Sequence, residues 1–142
     1  MEYQNEFRVF FAAKSQNEAL ARIMTAAFLS QYDPTLSEIT DIKTAVSEAV
    51  TNAIIHGYEE KSGDVELFCG YNDGKIYIEV ADRGMGITDV GQAREPLYTS
   101  KPELERSGMG FTIMETFMEE VRVESKQGEG TRIYMEKTLT TE

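Results

Sequence analysis

A single cysteine, Cys69, leaves no partner for an intrachain disulfide, and one histidine, His56, is too few to build a common structural zinc site with it. Cys69 stands in a strand-like stretch, where a small buried thiol is the ordinary outcome, and a reducing cytoplasm is the compartment that fits. Basic residues are scarce: 14 Lys and Arg face 25 Asp and Glu, for a formal net charge of -11. A chain this acidic is not drawn nonspecifically to nucleic acid or to an anionic bilayer, although a local basic site is compatible with it. No apolar run reaches the length needed to cross a membrane, and residues 1–6 lack the basic head of a signal peptide, so no membrane partner is expected. Two nucleotide motifs are also missing. There is no Gly-x-x-x-x-Gly-Lys followed by Ser or Thr, and Gly108-x-Gly110 lacks the third glycine and the preceding strand of a dinucleotide turn. A standard P-loop kinase and a dinucleotide oxidoreductase are therefore poor readings.

What is present is an ordinary globular composition, 41% hydrophobic over 142 residues, which suits one domain spanning 1–142 with no internal repeat. The aromatic and β-branched bias of 7–11 predicts a first strand. Ser15 or Asn17 can cap a following helix, whose apolar positions are Leu20, Ile23, Met24, Ala27 and Phe28. Asp33 is the expected N-cap of the next helical region, with Pro34 behind it and a break near 37–40. The longest helix then covers about 40–56, with Ile42, Ala45, Val46, Ala49, Val50 and Ala53 on one face and Gly57 as its stop. Strands from Val65 and over 75–81 flank Asn72-Asp73-Gly74, a tight hairpin turn. Residues 84–108 show little periodicity and read as a lid or binding loop, or as a solvated irregular segment containing a short helix. A helix over 109–118 and a hairpin of 121–124 with 131–135 complete the chain. The expected class is α+β: a two-layer α/β sandwich with a mixed, mainly antiparallel sheet and helices on one face.

Glu48, Asn52 and His56 recur one turn apart and border the apolar face of the long helix, either as the polar wall of a cleft or as a solvated stripe. Asn52 offers a neutral oxygen to a hard cation such as Mg²⁺, with phosphates and water completing the shell. The Glu48 carboxylate can orient and deprotonate an incoming hydroxyl. His56 reads as a structural residue at the helix end. Asp82, with Gly84 and Gly86 behind it, can accept a hydrogen bond from the exocyclic amine of adenine; a glycine turn with a solvated aspartate is the other reading. Gly108 and Gly110 open a helix whose backbone donors can hold phosphate, or form an ordinary glycine-rich start. Lys101 and Arg106 can neutralise terminal phosphates or be surface charges. Met109, Ile113, Met114, Phe117 and Met118 read as core.

The order and separation of 48–57, 82–86 and 108–111 resemble the family of ATPases and kinases that includes gyrase, Hsp90, histidine kinases and MutL. With Pro96-Leu97-Tyr98, the stretch 101–107 and the Gly130-Thr131 turn, the chain is more narrowly similar to the family of sporulation anti-sigma factors that are also serine protein kinases. That resemblance implies the Bergerat ATP-binding fold, with ATP between helices and sheet and Mg²⁺ bridging its phosphates to Asn52. It implies Glu48 as catalytic carboxylate, Asp82 as reader of adenine, Gly84, Gly86, Gly108 and Gly110 as nucleotide-binding glycines, and Thr131 near the base. It places an ATP lid over 87–107, which carries Lys101 and Arg106. It further implies a homodimer that, bound to ATP, sequesters a sporulation sigma factor and phosphorylates a serine of a small anti-anti-sigma protein, with Arg22 in partner contact and no direct role for nucleic acid. No dimerisation and phosphoacceptor helix pair is seen, so a standalone cytoplasmic kinase is expected rather than a two-component histidine kinase. A noncatalytic ATP-dependent protein-binding switch would use the same residues.

Overall fold

The computed structural model describes residues 2–57, 63–84 and 110–140. The elements are β1 (Asn5–Ala12), α1 (Gln16–Leu29), a 3-10 turn (Ser30–Tyr32), α2 (Leu36–Asn52), a π turn (Ala53–Gly57), β2 (Asp64–Asn72), β3 (Lys75–Asp82), α3 (Gly110–Phe117), β4 (Glu120–Lys126) and β5 (Gly130–Thr138). The strands form one sheet in the order β1-β2-β3-β5-β4. Among the described residues every pairing is antiparallel, so the sheet expected to be mixed is wholly antiparallel there.

Alternation along the strands gives the sheet two faces. Val65, Leu67 and Cys69 of β2, Ile76, Ile78 and Val80 of β3, and Ile133 and Met135 of β5 are buried in one cluster with Ala21 and Phe28 of α1, Ala45, Val46 and Ala49 of α2, and Phe111 and Met114 of α3. The helices therefore cover a single face, as the pattern predicts. The other face is held by charge: Arg132 donates to Glu66 and Glu79 at 2.9 to 3.2 Å, and Arg8 pairs with Glu66. The β2–β3 hairpin turns through Asp73 at φ 47° and Gly74 at φ 78°, the two positive values that a right-twisted two-residue turn requires.

Two expectations about the helices are corrected. Asp33 does not cap α2; it adopts a left-handed φ of 51° behind the 3-10 turn, and the helix starts at Leu36 with Thr35 as its cap. Thr35 Oγ1 accepts the Glu38 N–H at 3.1 Å while Glu38 Oε1 accepts the Thr35 N–H at 2.8 Å, a capping box that outcompetes the proline signal and removes the break near 37–40. At the other end, α-helix stops at Asn52, and 53–57 continue as a π turn. The second correction concerns α1, which buries Ala21, Thr25, Phe28 and Leu29, leaving Leu20 and Ile23 43% and 65% exposed and Ala27 on the surface. Thr25 tolerates the interior because its hydroxyl donates to the Ala21 carbonyl at 2.8 Å. Ser15 holds the N-cap position of α1 without a side-chain bond.

Candidate functional site

Strand register assembles the polar end of the sheet. Asp82 lies opposite Thr131, and Thr131 opposite Ser125, so three neighbouring strands contribute one cross-strand row. The row shares the parity of Val80 and Ile133 and thus points toward the helical layer. Asp82 is 6% exposed and Thr131 5%, far from the solvated aspartate that the sequence left open. Burial pushes the Asp82 carboxyl above the ordinary aspartate range, against the opposing pull of the backbone N–H groups of Gly84 and Thr131. The Gly84 bond, 2.8 Å to Oδ1, closes the chain into a tight turn directly after β3. A largely buried carboxylate held by two donors is a fixed acceptor, suited to a neutral amine.

Gly130 was legible in the sequence only as a turn residue, yet it decides how closely β5 approaches this row. Its φ is 110°, and a Cβ there would overlap the Asp82 carbonyl oxygen and come within 2.7 Å of the Arg83 Cα. Only glycine fits. Ser125 was missed altogether; its hydroxyl sits 2.8 Å from that of Thr131. The signal lies in strand pairing, which local sequence does not display.

Glu48 and Asn52 stand half-buried on α2, one turn apart, and Asn52 is its last α-helical residue. The π turn that follows packs against β3 and β5, the strands of Asp82 and Thr131. The C-terminal end of α2 and the polar row are thereby brought to one region of the molecule, and π turns recur at functional sites. Among the described residues no group of three or more His, Cys, Asp and Glu could hold a metal by itself. The residues present fit Mg²⁺ nonetheless, because one amide oxygen from Asn52 suffices when phosphates and water supply the rest. His56 lies in the π turn.

A cleft of about 680 Å³ opens at this end of the sheet, bordered by Asp82, Arg83, Ser125 and Thr131. Its wall also includes Phe10, Glu66, Ala81 and Arg132 of the opposite face, so it wraps the sheet end and is not itself the space between sheet and helices. Gly110 opens α3, and Met114 and Met118 fill the core. Gly86, Lys101, Arg106, Gly108 and the lid expected over 87–107 lie outside the described residues. Arg22, away from the row, donates through Nε to Glu18 at 2.9 Å, and Glu18 also accepts from Ser47. Beside it, Thr40, Lys43, Thr44 and Ser47 line a shallow cleft of about 220 Å³ between α1 and α2. No helix among the described residues is long and apolar enough to cross a membrane.

Over residues 11–137 the chain matches the family model described as Histidine kinase-like ATPase domain. An anti-sigma F factor of Clostridium kluyveri is 55% identical over 139 residues, 98% of each chain. One from Clostridium novyi is 60% identical over 136 residues, 95% of each, and one from Geobacillus kaustophilus 56% identical over 137 residues, 96% of this chain and 94% of the other. Among solved structures, the RsbU and RsbW domains of a Mycobacterium tuberculosis protein superpose with a TM-score of 0.71 at 21% identity, covering 98% of this chain and 34% of that one. The catalytic domain of the histidine kinase ThkA gives 0.58 at 16% identity, covering 98% and 97%. At such identities the structural likeness bears on the fold alone.

Proposed function

The chain belongs to the histidine kinase-like ATPase family, and from that premise we propose that it is a Mg-ATP-dependent serine protein kinase that phosphorylates a small anti-anti-sigma protein and, when bound to ATP, sequesters a sporulation sigma factor. The observation that carries this reading is the buried Asp82–Thr131 row at the end of β3 and β5, with the π turn that follows α2 packed on the same two strands. The likeness to anti-sigma F factors over almost the whole chain supports a sigma factor as one partner.

Asp82 accepts the adenine amine, and Thr131 assists directly or through a water. Gly84 lets the backbone turn beneath the base plane, and Gly86, Gly108 and Gly110 are the further glycines assigned to nucleotide binding. Lys101 and Arg106, within the proposed lid, neutralise phosphate charge. Asn52 would hold Mg²⁺, which would screen the charge of the phosphates. Glu48 accepts the proton of the attacking serine as its oxygen bonds to the γ-phosphorus and the bond to the ADP oxygen breaks. The protein acts as a cytoplasmic homodimer, and Arg22, held by Glu18, contributes to partner contact.

Incubating the purified chain with radiolabelled Mg-ATP and the small protein tests the reading. Label on a serine of the small protein is expected. Nucleotide-dependent sigma binding with no transfer at saturating ATP would instead establish the noncatalytic switch.

A further inference from the structure

Two of the oxygens beside the Ser125 hydroxyl differ in their hydrogen inventories. The hydroxyl lies 3.2 Å from the Gly130 carbonyl oxygen and 2.8 Å from Thr131 Oγ1. The carbonyl has no proton to give, so Ser125 is the donor there, and a hydroxyl carries only one proton. Either hydroxyl can be the donor in the contact with Thr131; with the Ser125 proton on the carbonyl, that contact uses the Thr131 proton, which is then turned toward Ser125 and away from any ligand. Only lone pairs of Thr131 Oγ1 remain to face a base. On the same row, the Gly84 and Thr131 N–H groups are consumed in holding the Asp82 carboxylate, which also presents lone pairs only. From these hydrogens we infer that Ser125 is a positioning residue for base selection: it fixes the Thr131 hydroxyl as an acceptor, so that Asp82 and Thr131 together form an acceptor-only edge selecting an exocyclic amine over a 6-oxo group. The inference rests on the reading that this row borders the nucleotide base.

The chemistry is one of matched and mismatched partners. An amine brings hydrogens to acceptors, directly or through a water; a 6-oxo purine sets a carbonyl oxygen against a carboxylate and a hydroxyl that has no proton free. Leaving such buried groups unpaired is the stronger source of discrimination, because the mismatched ligand forfeits solvation without recovering hydrogen bonds. Gly130 contributes through its backbone: its left-handed φ of 110° belongs to the turn that presents its carbonyl to Ser125. Removing the Ser125 hydroxyl releases the Thr131 proton, which can then rotate to serve a 6-oxo group.

A purely structural role, in which Ser125 only staples the β4–β5 hairpin, makes a different prediction, since loosening the hairpin weakens every nucleotide alike. The test is calorimetric titration of the full chain with Mg-ATP and with Mg-inosine triphosphate, the latter carrying the 6-oxo group without the amine. Ser125→Ala is expected to lower the ATP-over-ITP preference about five- to tenfold, the scale of one hydrogen bond. Ser125→Thr, which keeps the hydroxyl, should restore the preference, and Ser125→Ala should change nothing further in a Thr131→Val background. Equal loss of affinity for both nucleotides, or the same change in preference with and without the Thr131 hydroxyl, overturns the role of Ser125. Asp82→Asn separates the two layers of the argument. If that variant leaves the preference of the wild-type chain intact, the base-site reading itself fails, and Ser125 with it.

Discussion

At the N-terminus of α2, Glu38 is 7% exposed and its carboxylate is enclosed by donors: the Thr35 N–H on one oxygen, the Thr140 N–H at 2.7 Å and hydroxyl at 3.0 Å on the other. At its C-terminus the same helix gives way to a π turn that packs on β3 and β5, and Glu48 and Asn52 stand half-buried in the turns just before it. One end binds the C-terminal strand region to the helix and serves stability. The other keeps polar groups at the border of the core, and it is the end to which the proposed function assigns a ligand. Substitutions at the two ends should accordingly separate folding from chemistry.

The largest effect is expected at the C-terminal end. Glu48→Gln should lower phosphotransfer by about 10²- to 10⁴-fold with ATP affinity and melting temperature nearly unchanged, because the amide keeps the shape of the side chain but cannot take up the serine proton. Single-turnover assays beside calorimetry read the two quantities separately; a parallel fall in stability would erase the contrast between the ends. Next comes Gly130→Ala, which drives a methyl into the Asp82 backbone and should cost about 2 to 4 kcal/mol of unfolding free energy while weakening ATP binding. Urea titration with and without nucleotide measures both.

At the N-terminal end, Glu38→Ala should cost about 1 to 2 kcal/mol in the same titration, with transfer by the folded fraction unaltered. Its pH dependence sharpens the point. Burial alone would raise the Glu38 carboxyl, but the bonds from Thr35 and Thr140 outweigh it and hold the group below the usual range. A depressed carboxylate contributes stability above its unfolded pKa of about 4.3, and that contribution is lost as pH falls through the lower folded value. Asp82 runs the other way. Its raised pKa means that protonation, and with it loss of the amine acceptor, begins at higher pH than for an ordinary aspartate, so ATP affinity should decline on acidification before the Glu38 contribution does. The smallest effect is Ile23→Ser on the exposed side of α1, within about 0.5 kcal/mol.

The comparison of the two ends also marks what the sequence could show. Apolar periodicity located α2 and its buried face, and Asp73-Gly74 announced its hairpin, because both signals are local. The start of α2 was misplaced because Asp33-Pro34 and Thr35-x-x-Glu38 compete, and the buried tie of Glu38 to Thr140, 102 residues away, settles the contest in three dimensions. The face of α1 was misread because Thr25 enters the core by bonding backward, which polarity alone does not reveal. Asp82 is readable from its own chemistry beside Gly84 and Gly86, Thr131 only through family resemblance; that they share a row follows only once β5 is inserted between β3 and β4. Ser125 depends on the next pairing outward and left no local trace.

A crystal structure of the chain with Mg²⁺ and a non-hydrolysable ATP analogue would test the central claim most directly. The account predicts the Asp82 carboxylate within hydrogen-bond distance of the adenine amine and the Asn52 side-chain oxygen on the metal. A nucleotide seated elsewhere, touching neither residue, would contradict it.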